Sequence, residues 1–326
     1  MDLVETYAEP LRFARKPIPR TLLVLLVVGL AVLPWWAPRA WLSRGALVWL
    51  YAVGVIGQNL LIGYAGQLSF GQAGFLAIGA YVFGHLRIAG VPFPPALLGS
   101  GLAAGVAGWL VGFPSLRLKG VYLAIATLGF GTATYQIFAN VESFSGGRAG
   151  LAIPAMVVPF GLERDAYTYL LYYGIFLVFI AVAYNLVSSY VGRAFVAIRD
   201  SDIAAEAMGV NLTRYKLLAF AISSFYTGVQ GALMAQYLGH LEPQAFNISE
   251  ALNFFVAVTV GGLASIEGSV FGAAFAILVP ALLGDFRWAV PVLFGVAILA
   301  VLIFEPLGLA GAWLKARFYF RMWPFR

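Results

Sequence analysis

The sequence predicts an all-α, polytopic integral membrane protein with about ten membrane-spanning segments, some broken or re-entrant, and three observations carry that prediction. The chain is 62% hydrophobic and only 10% charged, against about 25% charge in a soluble globular domain, and its mean hydropathy is +0.89. Charge is also absent over stretches long enough to cross a bilayer, which takes roughly 20 apolar residues per helix. Finally, 37 of the 326 residues are glycine, which suits helices packed backbone to backbone in lipid.

Residues 1–20 read as a cytosolic N-terminal tail rather than a cleaved leader, because the stretch is long and acidic as well as basic. The apolar run TLLVLLVVGLAVL then opens a transmembrane domain placed at residues 21–306. Residues 45–86 carry no Asp, Glu, Lys or Arg and hold two spans. Further uncharged runs cover 88–116, 120–141, 166–192 and 217–241, and 251–284 is interrupted only by Glu267. Residues 288–304 close the set, and 307–326 form a basic C-terminal tail. The stretch GYAGQLSFGQAG is too rich in glycine for a plain lipid-facing helix, so a break is expected there. Two decapeptides, AIGAYVFGHL and ALMAQYLGHL, place the only two histidines, His85 and His240, at matching positions, which suggests an internal duplication of the kind common in transporters.

An even number of spans puts both ends on one side, and cytosolic loops are enriched in Lys and Arg. With the N-terminus inside, the cytosolic set contains Arg117, Lys119, Arg193, Arg199, Arg214 and Lys216 together with the basic residues of both tails. Arg39, Arg44, Arg87, Arg148, Arg164 and Arg287 remain outside. The charged segment 193–216 is therefore a cytosolic loop.

Within it, AIRDSDIAAEAMGV reads as a short helix marked at both ends. Ser201 or Asp200 supplies an N-cap, Asp202 lies in the first turn where the helix dipole favours a carboxylate, and Gly209 closes the C-terminus. Such a helix is too short to be stable alone in water and needs a surface to lie on. Ile203, Ala207 and Val210 offer it an apolar side, with Asp202 and Glu206 as a polar flank. A face of this kind fits a groove on another protein.

Several chemistries are excluded. There is no cysteine, so thiolate nucleophiles, disulfides and thiolate metal sites are ruled out. The phosphate-cradling GxxxxGK[ST] loop does not occur, so ATP hydrolysis belongs to a partner. No HExxH, GxSxG or metal-spaced histidine cluster appears, so neither a cofactor nor a metal is expected, and a nucleic-acid partner is disfavoured by the membrane character of the chain. The sequons at Asn211 and Asn247 read as accidental. Polar side chains inside spans mark interhelical hydrogen bonds or a lined path. Among them, Gln67, Ser69 and Gln72 lie between glycines, where backbone groups can meet a solute, and Ser265 sits in a second Gly-rich stretch.

GRAFVAIRDSDIAAEAMGVNLTRYKLLAFAISSFYTGVQGALMA resembles the cytoplasmic loop and following helix of permease subunits of bacterial high-affinity branched-chain amino acid ABC importers, in particular the larger of their two permeases. GYAGQLSFGQAGFLAIGAY and VGGLASIEGSVFGAAF resemble that family's early and late Gly-rich motifs, and the resemblance spans about residues 53–311. Ala264, where Gly is more usual, and Glu267, where a neutral residue is expected, are departures. The resemblance implies a bacterial inner-membrane subunit working with a second permease, two ATP-binding cassette ATPases and an external substrate-binding protein. It also implies that Arg199, Asp200, Asp202, Ala205, Glu206 and Gly209 form the coupling helix that engages an ATPase. The alternatives left open are a permease for urea or short amides, and a secondary transporter or channel acting alone.

Overall fold

The computed structural model describes residues 17–147, 150–156, 158, 161, 163–284, 289–304 and 307–321. Arg12, Arg15, Lys16, Arg148, Arg287 and Arg326 of the charge assignment lie outside the described residues. In chain order the helices are α1 (Pro17–Val32), α2 (Arg39–Asn59), α3 (Gln72–Ile88), α4 (Phe93–Ser115), α5 (Val121–Asn140), the single turn α6 (Glu142–Ser145) and α7 (Arg164–Ser188). They continue as α8 (Tyr190–Asp200), α9 (Asp202–Ala207), α10 (Leu212–Leu238), α11 (Ile248–Gly261), α12 (Ile266–Leu283), α13 (Val290–Phe304) and α14 (Gly308–Arg321). Six helical segments are long and apolar enough to cross a membrane: Arg39–Tyr64, α4, α5, α7, α10 and α12. Shorter apolar helical stretches, too short to meet that measure, run over Val24–Trp35, Ile248–Gly261 and Val290–Val301. The only strands among the described residues are β1 (Leu151–Ala152) and β2 (His240–Leu241), which pair antiparallel. The stretch assigned to a C-terminal tail is helical as α14, and it touches the bundle where Gly308 meets the backbone of Gly262.

Size, more than polarity, orients these helices. On α4, Gly101, Gly108 and Gly112 are buried against Phe225, Ser224 and Leu217 of α10. Its other side presents Leu98, Leu102, Val106, Leu110 and Phe113, all exposed. A helix apolar all round has no hydrophobic reason to choose a face in lipid, so close backbone approach at small residues decides.

α10 is the centre of the bundle. Gly79 of α3 lies so near Gly228 that an added Cβ would stand 2.3 Å from the Gly228 carbonyl oxygen. A Cβ on Gly231 would meet the Leu76 carbonyl at the same distance. Since Gln72 bonds Ser223 and Thr227, and Gly84 lies beside Leu241, α3 and α10 run side by side in the same direction. This parallel contact joins the two echoing decapeptides. On the other flank, Trp49 packs against Tyr173 and Phe176 at ring distances of 5.0 and 4.9 Å. Tyr172 and Tyr226 donate to the carbonyls of Leu233 and Phe179 at 2.7 and 3.0 Å, contacts of roughly 0.6 kcal/mol each in membrane interiors.

Both sequons prove to be helix starts. Asn211 Oδ1 accepts from the amide of Arg214, and Asn247 Oδ1 accepts from those of Ser249 and Glu250. An Asn cap satisfies amides that have no partner within the helix. Each histidine also sits at the end where β1 and β2 pair, and His85 Nε2 bonds the Phe144 carbonyl at 2.6 Å.

Candidate functional site

Three of the basic residues assigned to one side by charge alone, Lys119, Arg199 and Lys216, gather at one end of the bundle. Arg39 pairs with Glu163 at the start of α2, whereas Lys119, Arg199 and Lys216 line one cleft of about 330 Å³ beside Gly66 and Gln67, at the far end of that helix.

α9 rises from this end, and its boundaries follow from its sequence. Ser201 Oγ accepts from the Ala204 amide at 3.3 Å, which assigns the N-cap to Ser201 rather than Asp200. Gly209 has φ +84°, the Gly209 amide donates to the Glu206 carbonyl, and the Val210 amide donates to the Ala205 carbonyl. That is a complete Schellman closure, which needs a left-handed residue at its corner.

One side of α9 is seated. Ala205 is buried, and Asp202 Oδ2 accepts from Lys216 at 2.8 Å and Lys119 at 2.6 Å. Lys216 is 4% exposed, so its charge needs this partner. Asp202 therefore does not form a solvent flank with Glu206, as the sequence spacing suggested, because a buried ammonium draws it inward. Burial alone would push the Asp202 carboxyl up, but the hydrogen bonds and charges of Lys119 and Lys216 outweigh burial and hold it below the usual carboxylate range. The other side is open: Ile203 is 81% and Met208 85% exposed, with Glu206, Ala207 and Gly209 exposed beside them. Val210, expected on the same apolar side, is half-buried.

Just beneath, both Gly-rich motifs break their helices. α2 passes into the π-helical turn Leu60–Tyr64, and the chain runs without regular structure to Gly71 before α3 begins. Gln67 is buried in this segment and its side-chain amide donates to the Ala65 carbonyl. Ser69 and Gln72 are wholly buried. Ser69 Oγ accepts from the Gly71 amide, and Gln72 is spent on Ser223 and Thr227.

The second break lies between α11 and α12. Ser265 caps α12 by accepting from the Gly268 amide at 3.0 Å. Asn59 braces this turn completely, donating to the carbonyls of Gly262 and Ser265 and to Ser269 Oγ, and accepting from the Ala264 amide. Ala264 has φ +57° and is the one non-glycine residue with positive φ among the described residues, which explains why Gly is the more usual choice. Glu267 is exposed in the first turn of α12, where a carboxylate interacts favourably with the helix dipole. Ala264→Gly is expected to raise stability by about 0.5 kcal/mol, the relief of left-handed strain less the added entropy of the unfolded chain. Thermal unfolding in detergent measures this, and a lowered midpoint would refute it.

Sequence reasoning missed the lysine pair that holds Asp202 and the role of Asn59. It also missed Glu250, buried in α11, which accepts from the Tyr51 hydroxyl and from Asn253. The signal for Glu250 was present in NISE, an Asn cap followed by Glu at the third helical position.

A helical bundle with large apolar side chains outside, glycine seams inside and two broken segments at one end has the build of a membrane permease. The chain belongs to the family described as branched-chain amino acid transport system / permease component, whose model matches residues 42–305. It is 33% identical over 313 residues to the high-affinity branched-chain amino acid transport system permease protein LivM of Escherichia coli K12, covering 88% of this chain and 74% of the relative. The LivM protein of Salmonella typhimurium LT2 is 32% identical over the same shares. The high-affinity branched-chain amino acid transport system permease protein LivH of Escherichia coli K12 is 24% identical over 68% of this chain and 78% of its own length. No solved structure matches the chain.

Proposed function

We propose that this chain is the larger permease subunit of an ATP-driven importer for branched-chain or similar hydrophobic amino acids, and that α9 is the handle by which a partner ATPase moves it. One observation carries the reading: α9 is capped at both ends and fixed along one side, yet it leaves Ile203, Glu206 and Met208 standing in the open. An apolar side chain more than four-fifths exposed on an anchored helix fits a complementary groove. In this reading Glu206, Ala207 and Gly209 meet the ATPase, while Asp202 and Ala205 seat the handle.

Membership of the family supports the other parts of this reading. A second permease of the LivH kind pairs with this one, two ATPases bind beneath, and an external binding protein delivers substrate. The subunit lies in the bacterial inner membrane with both termini cytosolic. Gln67 and Ser265 stand at the two helix breaks and are the side chains assigned to the path, while Ser69 and Gln72 brace the bundle next to it. A zwitterion with an apolar side chain needs weak polar contacts rather than a fixed charge, which agrees with the low charge of these spans.

Co-purification with the ATPases tests the reading. Glu206→Arg and Gly209→Pro are expected to reduce ATPase recovery and leucine uptake about tenfold or more, since a reversed charge and a broken closure act at a contact surface. Normal assembly and uptake with both variants would remove the handle. Gradient-driven uptake by the chain alone would favour an independent transporter instead.

A further inference from the structure

We propose that Arg199 is a positioning residue that joins the ATPase handle to the helix break, acting as a C-cap for α2 supplied by a neighbouring helix. This rests on the reading of α9 as the handle and adds what lies behind it. At the end of α2 the chain leaves the regular ladder: the Ala65 amide bonds back to Leu60, and the Gln67 amide to Leu61. Helices end with carbonyls that have no partner of their own, and cations are favoured there by the dipole. Arg199 Nη1 donates to one of these carbonyls, that of Gly63, at 3.1 Å.

The contact has no slack. A Cβ on Gly66, which has φ +67°, would lie 2.9 Å from Arg199 Cγ and 3.1 Å from its Cα. The arginine stem therefore rests on bare backbone. Asp200 holds the guanidinium from the other side, with contacts of 3.1 Å to Nε and 3.0 Å to Nη2. Arg199 lies in the last turn of α8, two residues before the cap of α9, so displacement of the handle displaces the arginine.

Gly63 passes the contact onward. A Cβ there would meet Asn59 Oδ1 at 2.1 Å and the Ala264 amide nitrogen at 2.4 Å. The carbonyl gripped by Arg199 thus belongs to the residue wedged between Asn59 and the second break. A push on α9 is delivered through Arg199 to both Gly-rich breaks at once.

The test uses the assembled importer in liposomes with leucine as probe. Arg199→Ala is expected to retain its ATPases and hydrolyse ATP within about twofold of the parent, while uptake falls about tenfold, within the usual range of coupling energies. Arg199→Lys keeps a donor for the Gly63 carbonyl and should recover part of the uptake. Unchanged uptake in Arg199→Ala, uptake lost only in proportion to lost ATPase, or a Lys variant no better than Ala would each overturn the inference. A second measurement uses the unaltered complex and decides the matter if Arg199→Ala does not fold. Trapping the ATPases with a non-hydrolysable ATP analogue should change amide exchange in 199–210 and in 60–71 together, and a change confined to 199–210 refutes the link. If Glu206→Arg and Gly209→Pro leave assembly and uptake intact, it is the handle that fails; if they act while Arg199→Ala transports normally, only the transmission through Arg199 fails.

Discussion

Asp202→Asn is expected to unseat α9 at a local cost of about 3 kcal/mol, the low end for breaking a buried pair. The substitution keeps the shape but leaves the Lys216 ammonium, 4% exposed, facing a neutral amide. Lys119 adds little to that cost, since it is 67% exposed and exposed pairs are screened. Amide exchange in 201–210 should accelerate by about two orders of magnitude, as 1.4 kcal/mol corresponds to tenfold, while α3 and α10 keep their protection. The unsubstituted protein should show the same loss with acid. Asp202 has a lowered pKa in the folded protein, so its clamp is fully present above the ordinary carboxylate value of about 4. It is lost as pH falls through the depressed value. Unchanged exchange in the variant, or loss of protection in the parent already above pH ~5, would contradict the clamp.

Gly228→Leu should damage the whole bundle. A Cβ at this position would stand 2.4 Å from that of Ala104 and 2.8 Å from the Ser100 carbonyl, so α4 and α10 must separate to admit it. Overpacking of this kind costs about 3 kcal/mol, which for a chain of this size lowers the thermal midpoint by roughly 4 °C. Gly174→Leu is the matched control, because Gly174 is exposed on α7 and nothing lies within 4 Å of an added Cβ. Equal midpoints for the two variants would show that the glycine seam does not set helix spacing.

What was readable in the sequence was whatever depends on neighbours along the chain. The six long apolar helices follow from runs without charge, the limits of α9 from Ser201 and Gly209, and the sharing of one end by Lys119, Arg199 and Lys216 from the distribution of basic residues. The resemblance of the loop and the two Gly-rich motifs to branched-chain amino acid permeases agrees with the family to which the chain belongs. Even the unusual Ala264 was visible as a departure, although its cause, a positive φ, was not.

The partners of polar groups were not readable. Spacing alone gave Asp202 and Glu206 a common flank, but Lys119 and Lys216, brought in from the α4–α5 connection and α10, turn one of them inward. Gln67, Ser69 and Gln72 looked alike in sequence, and helix packing separated them by supplying Ser223 and Thr227 to Gln72. Sequence by itself determined which stretches form long apolar helices and where α9 is capped, because those depend on transfer out of water and on local hydrogen-bond supply. Only the tertiary structure decided which buried donor meets which acceptor and which glycines touch, because in an apolar solvent those contacts are set by close approach between helices distant in sequence.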